Sequence, residues 1–403
     1  MKLAQVAGYL NRHRASVLMR EQGLAALVLT QPESITYATG TFPGVATFWR
    51  RAGAAFILVP ADEGAPLSAI VGDLQAKAFQ KSSGIVDTRS HLIWVESDQF
   101  PFEETSKAKR SARPAQFDFG ASLALLRDLI SERGFNNSKV GLELGFVSAA
   151  DFPAFSTIPV QWADCTRLVE QLRAIKCEAE IAKLRHAAEF AAHGFTKLIQ
   201  SISVGMTAAE MSAIWAEAAL DNARARGLPA PQSTWSYIAV NGDGFAPGLP
   251  AKNGDIIKID VGTVVEGYSS DGARTAVLGK ASLDAQRVFD ALHRSFDAGL
   301  ALIRPGMALR EIHGAVATSM WNQGFETYCR GHFGHGVGSS IWNEEWPFIS
   351  ADSTAVLETN MVLAFETPWY INGLGGFIIE DQLLITKSSF EVMAQSPRGL
   401  ISV

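Results

Sequence analysis

The chain has 403 residues, of which 47% are hydrophobic and 19% are charged. This balance is typical of a globular protein and excludes a disordered chain, a coiled coil or a collagen-like repeat. With 35 basic and 41 acidic residues, the formal net charge is −6. No block of basic residues offers a surface for nucleic acid or for an anionic membrane, so neither is expected as a partner.

The sequence also indicates a compartment. Its three cysteines show no Cys-x-x-Cys spacing, which favours a reducing environment over a disulfide framework or a structural zinc site. No apolar stretch reaches the roughly 20 residues that a membrane helix needs. The amphipathic start of the chain lacks the apolar centre of a signal peptide. We therefore expect a cytoplasmic protein.

The first part of the chain, residues 1–164, alternates patterns of helix and strand. The predicted elements are helices over Val6–Gln22 and Ala121–Gly134 and strands over Ala25–Thr30, Ala54–Pro60 and Ser138–Gly145. Such alternation is typical of an α/β layer domain. The polar stretch Glu96–Ala115 is predicted to be a long surface loop, and no catalytic cluster is visible in this part.

The second part, residues 165–403, begins with a long amphipathic helical stretch, Leu168–Ile202, with a possible break around Lys176–Glu178. A weak internal repeat follows. At one constant offset, the residues Gly205, Met206 and Glu210 recur as Gly306, Met307 and Glu311. Chance similarity is one explanation. The other is that two similar helical halves each lead into a β-segment.

Two aspartates lie on either side of a predicted turn. In Asp255–Gly279, apolar Ile257 and Ile259 alternate with polar residues, which is the period of a half-buried strand. A turn at Glu266-Gly267 would reverse the chain. Asp260 and Asp271 are almost equally distant from this turn. They should therefore lie about opposite each other on one face of a hairpin.

A second hairpin is predicted over Met361–Thr386, where Glu366 and Glu380 lie seven residues on either side of Gly373. These carboxylates also sit in apolar runs. Buried like charges repel each other and are costly without a counter-ion. Two such pairs therefore indicate a cation between them.

A glycine-rich segment, Arg330–Ser340, supplies a nitrogen ligand, because His332 and His335 lie three residues apart in it. A turn residue is the alternative reading of a histidine in such a loop. Four carboxylates and one imidazole suit Mn²⁺, Co²⁺, Zn²⁺ or Fe²⁺. Four negative charges suit two divalent ions, which at about 3.5–4 Å apart can clamp and deprotonate a water.

The ordered set Asp260, Asp271, His335, Glu366 and Glu380 closely resembles the ligands of the pita-bread metallopeptidases, which include methionine aminopeptidase, aminopeptidase P, prolidase and creatinase. The contexts that carry the resemblance are KIDVG, GYSSDGART, GHGVG, AFETP and IED. The segment Leu172–Ala187 resembles the start of the prolidase catalytic domain. The resemblance implies a creatinase/prolidase-type α/β domain over residues 1–164 and an α+β pita-bread catalytic domain over 165–403, with pseudo-twofold halves.

The resemblance also implies roles for these residues. Asp260 would bind one metal ion, His335 and Glu366 would bind the other, and Asp271 and Glu380 would bridge both. Glu366 would in addition act as the general base on the attacking water. Two divalent ions, most plausibly Mn²⁺, are implied as cofactors. A homodimer is expected, since the two-domain members often form one.

The sequence departs from the proline-peptide-cleaving members in three histidines. The segment Phe245–Pro250 has none where they have one, and Gly331 stands four residues before the metal histidine, with His332 one place later. We predict that His332 is a catalytic residue in place of the missing one. The third position falls in Ile341–Ser350. There Trp342, Glu344 and Glu345 are predicted to bind substrate, and neighbouring aromatic residues could help to hold a small cationic molecule.

The leading hypothesis is a dinuclear metal-dependent hydrolase of a peptide or amide C–N bond, similar to prolidases, with a metal-activated water as the nucleophile. Its substrate would be a short peptide or a small molecule. The alternative is a metal-dependent hydrolase or lyase of a non-peptide small molecule, similar to creatinase, ectoine hydrolase or dimethylsulfoniopropionate lyase. A second alternative is a non-catalytic binding protein, which the intact ligand set disfavours.

Overall fold

The computed structural model describes residues 8–95, 113–340 and 344–403. Most of the predicted loop Glu96–Ala115 and the predicted substrate-binding residue Trp342 lie outside these ranges. Among the described helices, none combines the length and the apolar character that a membrane crossing requires.

The chain divides into two compact units, Met1–Arg173 and Ala174–Val403, whereas the sequence suggests a boundary after Asp164. The helix between the two boundaries, Thr166–Ala174, explains the difference. It has its own apolar face, and Leu168 and Leu172 on that face are buried in the core of the first unit.

The first unit is a layered α/β domain, as predicted. Its helices are α1 (Arg12–Glu21), α2 (Pro32–Thr39), α3 (Ala46–Trp49), α4 (Asp73–Ser83), α5 (Phe119–Glu132), α6 (Phe152–Phe155) and α7 (Thr166–Ala174). Its strands are β1 (Ala26–Leu29), β2 (Phe56–Pro60), β3 (Ser68–Gly72), β4 (Asp87–His91), β5 (Lys139–Leu142) and β6 (Gln161–Asp164). They form one mixed sheet in the order β4-β3-β2-β1-β5-β6. Strands β1 and β2 are buried along their whole length, as their continuous apolar runs predict.

In its described residues, the second unit contains four long helices, a large and mostly antiparallel sheet, and a separate two-stranded sheet. The helices are α8 (Glu178–Ile199), α9 (Ala208–Ala225), α10 (Leu283–Leu300) and α11 (Leu309–Asn322). The strands are β7 (Ser233–Ser236), β8 (Ala239–Val240), β9 (Ile256–Val265), β10 (Tyr268–Ser269), β11 (Gly272–Val277), β12 (His332–Gly336), β13 (Glu345–Ser350), β14 (Val362–Glu366), β15 (Trp369–Ile371), β16 (Gly375–Phe377), β17 (Glu380–Ile385), β18 (Phe390–Val392) and β19 (Ile401–Ser402). The main path through the sheet is β10-β9-β11-β17-β14-β12-β13.

The predicted break in the long helical stretch is confirmed, because α7 ends at Ala174 and α8 begins at Glu178. Helix α8 begins with a capping box. The Glu180 carboxylate accepts a hydrogen bond from the Cys177 backbone N–H at 2.8 Å. One apolar face of α8, including Leu184 and Phe195, is then buried.

The internal repeat corresponds to two equivalent helix pairs. Helices α8 and α9 precede the first group of strands, and α10 and α11 precede the second. Gly205 and Gly306 have nearly the same backbone conformation, with φ of 90° and 85°. Glu210 and Glu311 both lie in the first turn of the following helix. The matching geometry favours two similar halves over chance similarity.

Candidate metal centre

Five neighbouring strands of the main sheet each position one predicted metal ligand. In spatial order the strands are β9, β11, β17, β14 and β12. Asp260 lies within β9, Asp271 directly precedes β11, and Glu380 begins β17. Glu366 ends β14, and His335 lies within β12. The ligands are distant in sequence but consecutive across the sheet.

In the first hairpin, the strand register makes the two aspartates diagonal neighbours instead of directly opposite residues. Glu266 and Gly267 form the predicted turn, both with positive φ. Ala273, rather than Asp271, lies directly opposite Asp260. Asp271 is two residues from Ala273, so both aspartates are still on one face, because side chains alternate with a period of two. The prediction that Asp260 and Asp271 share one face of the hairpin is therefore confirmed. Asp271 is two residues away from the position directly opposite Asp260.

The second hairpin has the predicted register, with Glu366 directly opposite Glu380. Glu380 also pairs with Ala273, which itself lies opposite Asp260. The glutamates and the aspartates are therefore on the same face of the sheet. On the other side, His335 pairs with Ala364, two residues before Glu366. The strand registers thus direct all five side chains to one face of the sheet.

Three of the five side chains are close enough to share one ion. Ligand atoms of Asp271, His335 and Glu380 all lie within 4.8 Å of one another. The His335 Nε2 is 3.6 Å from an Asp271 carboxylate oxygen. The other ring nitrogen, Nδ1, lies 3.0 Å from the Gly336 carbonyl oxygen. Because a carbonyl only accepts, Nδ1 carries the proton, which leaves the Nε2 lone pair for a metal.

A glycine beside this histidine is required by the backbone. Gly334 has a φ of 131°, and a Cβ there would lie 2.1 Å from the Ala364 carbonyl oxygen. Any larger residue would displace β12 from β14 and with it the imidazole of His335. The glycine-rich context of the ligand thus follows from close strand packing.

Burial and mutual repulsion raise the pKa values of the four carboxyl groups. Burial is the main cause for each: the pKa rises to about 6 at Asp260 and to about 8 at Glu366. At Asp271 and Glu380 it rises well above the usual range, since neighbouring carboxylates add to the effect of burial. Without a cation, Glu366, Asp271 and Glu380 retain protons at neutral pH, whereas Asp260 is mostly ionised. The four carboxylates and one imidazole fit a hard or borderline divalent ion, which would replace those protons.

His332, the displaced histidine, lies beside the cluster. Its Nδ1 is 3.4 Å from a Glu366 carboxylate oxygen and accepts a hydrogen bond from the Gly334 N–H at 3.2 Å. Burial, together with the charge of the neighbouring His335, lowers the pKa of His332 to about 4. His332 is therefore neutral near pH 7, with its proton on Nε2.

The predicted substrate-binding residues have different environments. Glu344 is exposed, and its charge contributes to the raised pKa values of Asp260 and Glu366. Glu345 is buried, and its carboxylate lies 3.6 Å from the ammonium group of buried Lys176. The structure thus places the charge of Glu344 near the cluster, whereas that of Glu345 is balanced inside the protein.

Two cationic residues near the ligands were missed from the sequence. Lys258 Nζ is 3.7 Å from an Asp260 carboxylate oxygen, and an Arg330 nitrogen is 3.8 Å from one of Glu366. Both cations contact the ring of Tyr370, at 5.1 Å and 5.8 Å from its centroid. The period of two along β9 already placed Lys258 on the face of Asp260. No sequence signal indicated Arg330.

The aromatic residues near the cluster contact the protein's own cations. Lys258 Nζ also lies 5.4 Å from the centroid of Phe245, while Trp369 packs against Tyr328. The rings of Phe245 and Tyr370 therefore already contact cations of the protein itself. Binding of a cationic molecule by the remaining aromatic residues stays a prediction.

The site thus combines buried carboxylates with an oriented imidazole, a group of side chains that could hold a metal ion. Residues 182–387, about half of the chain, match the metallopeptidase family M24. Residues 12–175 match the creatinase/prolidase N-terminal domain. The chain belongs to the M24 family, in its two-domain branch, and has the pita-bread fold.

Relatives and solved structures agree with this assignment. The uncharacterized peptidase YqhT of Bacillus subtilis is 27% identical over 278 residues, which cover 66% of this chain and 76% of the relative. An Xaa-Pro dipeptidase of Pyrococcus horikoshii is 27% identical over 234 residues, or 58% of this chain and 66% of that protein. The structure of an Xaa-Pro dipeptidase from Bacillus anthracis has a TM-score of 0.78 at 22% identity, covering 97% and 99% of the two chains.

Proposed function

We propose that this peptidase-family protein hydrolyses a peptide or amide C–N bond with two divalent metal ions, in the manner of an Xaa-Pro peptidase. The observation that carries the proposal is the alignment of five ligands, from five consecutive strands, on one face of the sheet. A short peptide is the proposed substrate. Mn²⁺ is the first metal to test, and the donor set also suits Zn²⁺, Co²⁺ and Fe²⁺.

Asp260 would hold one ion and His335 with Glu366 the other, while Asp271 and Glu380 would lie between them. The close approach of Asp271, His335 and Glu380 supports this division. The ions would supply Lewis-acid polarisation of the scissile carbonyl and would lower the pKa of the attacking water.

Glu366 is the proposed proton carrier. It ends β14 beside the other ligands, so one of its oxygens can face a reacting water while the other remains near the ions. His332 would donate its Nε2 proton as a hydrogen bond to the reacting group, since its Nδ1 already accepts from Gly334. Trp342 and Glu344 remain the proposed contacts to the substrate.

A second candidate is a metal-dependent hydrolase or lyase of a small non-peptide molecule. One observation favours it: the segment that lacks a family-type histidine instead places Phe245 over Lys258, and Arg330 stands beside Glu366. These side chains present a different surface to the substrate from that of the absent histidines.

The test is turnover of a panel of Xaa-Pro dipeptides by protein loaded with Mn²⁺, with the metal content measured on the same sample. Asp271→Asn provides the control, since it should abolish any genuine turnover. If fully loaded protein cleaves none of the dipeptides, the peptide assignment is wrong. Turnover of small amides by that sample would then support the second candidate.

We further propose a cytoplasmic homodimer, on the basis of the family resemblance and the cysteine pattern. Light scattering coupled to size-exclusion chromatography would measure the mass. A monomer at micromolar concentration would contradict the dimer.

A further inference from the structure

The two halves of the second unit meet at a narrow junction between β11 and β17. Within the described strands, a single residue pair, Ala273 with Glu380, joins β11 to β17. By contrast, six pairs join β11 to β9 and five pairs join β17 to β14. The proposed bridging ligands Asp271 and Glu380 lie on either side of this junction. Their separation therefore depends on how the two halves are held together.

Side chains continue the junction on both sides of the single backbone pair. The Gln382 side chain accepts a hydrogen bond from the Asp271 N–H at 3.1 Å and donates to the Leu184 carbonyl oxygen of α8 at 3.2 Å. On the other side, the Thr275 hydroxyl donates to the Ile378 carbonyl oxygen at 3.0 Å and accepts from the Ile378 N–H at 2.8 Å. Specific side-chain bonds thus take the place of a continuous ladder.

Arg274 is the central residue of the junction. Its side chain is 5% exposed, and its guanidinium donates to five acceptors, as many as it has N–H groups. Two of the acceptors are the carbonyl oxygens of Ala273 and Glu380, one on each strand. A third is the Asp381 carboxylate, at 2.6 Å. Because Asp381 directly follows Glu380, Arg274 binds β17 at the end that carries the proposed ligand.

The other two acceptors lie in residues 393–403, which we call the return segment. They are the carbonyl oxygens of Ser396 and Pro397, at 3.0 Å and 2.8 Å from the guanidinium. The return segment also places Arg398 against the second carboxylate oxygen of Asp381, at 2.6 Å. Its strand β19 then pairs with β11. The return segment is therefore bound to both strands of the junction.

A cavity of about 50 Å³ adjoins the junction. Asp271 and Glu380 are among its lining residues, and Ala188 and Ala191 of α8 line another side. A void supplies no contact atoms, so close packing restrains the two ligand strands less on this side. The hydrogen bonds and ion pairs around Asp381 are consequently the main restraint on the spacing of the strands.

We propose that Arg274, Asp381 and Arg398 form a clamp of positioning residues, which sets the separation of the two proposed bridging carboxylates. The clamp thereby determines how tightly the pair of metal ions binds and how strongly the two ions couple. The inference rests on the proposed function, because it requires two ions that share Asp271 and Glu380. The competing explanation is that the clamp only stabilises the fold.

The first measurement is the affinity of metal-free protein for Mn²⁺, by titration against a chelator. Arg398→Gln should weaken binding by about tenfold, the lower end of the range for residues that orient metal ligands. Arg398→Lys should recover part of the loss, because it keeps the charge but not the planar fork. Asp381 retains Arg274 in both variants, so the buried carboxylate stays paired.

Arg185→Gln is the matched control. Arg185 is 31% exposed, compared with 28% for Arg398, and it pairs with the Glu391 carboxylate at 2.9 Å. This pair also joins distant segments of the second unit, but it includes none of the residues around the junction. Arg185→Gln should keep the wild-type affinity for Mn²⁺. An equal loss of affinity in Arg398→Gln and Arg185→Gln would show a general effect on the fold and overturn the clamp.

Electron paramagnetic resonance of the Mn²⁺-loaded protein gives a readout that fold stability alone does not change. Two ions bridged by carboxylates at about 3.5–4 Å couple magnetically, and the coupling weakens as the ions move apart. At saturating Mn²⁺, Arg398→Gln should convert part of the coupled signal into that of isolated Mn²⁺. A spectrum identical to that of the wild-type protein would overturn the inference.

The wild-type protein separates a failure of this inference from a failure of the proposed function. A coupled Mn²⁺ pair that neither Arg398 variant alters would keep the metal centre and overturn the clamp. Wild-type protein that binds no such pair would overturn both proposals. Weaker coupling in Arg398→Gln supports the clamp even if no dipeptide is cleaved. If Arg398→Gln does not fold, Arg398→Lys takes its place, with an expected severalfold loss of affinity and an unchanged affinity as the contrary result.

Discussion

The two halves of the second unit share an architecture and differ in chemistry. Each half has a helix pair followed by strands, and each places one cation just under 4 Å from one carboxylate ligand. The first half supplies only oxygen ligands, Asp260 and Asp271. The second half adds the imidazole of His335 to its two glutamates. The repeated scaffold thus carries two unequal sets of candidate ligands.

The inequality extends to the cations. Lys258 is fully buried under Phe245 and Tyr370, whereas Arg330 is partly exposed. The pKa rises to about 6 at Asp260 and to about 8 at Glu366, so the carboxylate beside the buried lysine is the more readily ionised. Burial raises both pKa values, and at Asp260 the charge and the hydrogen bond of Lys258 offset part of that rise.

The largest expected effect comes from the residues that join the halves. Asp271→Asn and Glu380→Gln keep the side-chain shape and remove a charge that both proposed metal positions would share. Each should lower kcat by about a thousandfold or more, comparable with the loss of a principal electrostatic stabiliser. Elemental analysis should find both ions depleted. Full retention of two ions by either variant would refute the bridging assignment.

A substitution of a ligand that belongs to only one half should change the metal content differently. Asp260→Asn should lose the ion of the first half and His335→Ala that of the second, so each protein should retain about one ion. Because the imidazole joins Asp271 and Glu380 in the compact cluster, His335→Ala should weaken the tighter site. Metal titration against a chelator would detect this. Equal affinities of the remaining ion in both variants would show that the halves do not differ.

The sequence predicted the shared face of the candidate ligands because each lies in a short motif whose local period fixes its face. The pairing of Glu366 with Glu380 could be predicted from the alternation of side chains along the strands and the position of the turn. The diagonal offset of Asp260 and Asp271 was missed, because the register depends on how Gly267 and the two residues after β10 fit the turn. Local pattern thus determined the face but not the exact pairing.

Residues recruited from a distance could not be found in this way. Arg330 reaches Glu366 only because β12 and β14 are paired, which no local pattern encodes. Glu345 resembled a substrate ligand in the sequence, yet its carboxylate lies against Lys176, whose burial depends on the folded unit. Tertiary charge pairing therefore limits what spacing alone can predict.

The raised carboxyl pKa values predict a pH dependence of the metal-free protein. In the unfolded chain these groups titrate near pH 4, whereas in the folded state the pKa is about 6 at Asp260 and about 8 at Glu366. The folded state binds the protons more tightly, so this stabilisation is fully present below pH 4 and is lost as the pH rises through 6 and then 8.

Thermal denaturation with and without a chelator measures this effect. The Tm of stripped protein should fall relative to that of loaded protein between pH 5 and pH 8, by several degrees. The control is the stripped Asp260→Asn/Glu366→Gln double variant, which lacks two of the titrating groups and should show a shallower fall. A constant difference in Tm across this range would contradict the raised pKa values.

The smallest expected effect tests whether the two halves have equivalent backbone conformations at their repeated turns. Gly205 and Gly306 both have positive φ and open space where a Cβ would lie, so alanine adds only backbone strain. Each substitution should lower the free energy of unfolding by about 1–2 kcal/mol. Gly314→Ala, inside α11 with ordinary φ and equally open space, should instead raise it by roughly 0.5–1 kcal/mol. Urea denaturation of the three variants provides the comparison. A large difference between Gly205→Ala and Gly306→Ala would mean that the repeated turns carry unequal strain, and that the symmetry of the halves is limited to their topology.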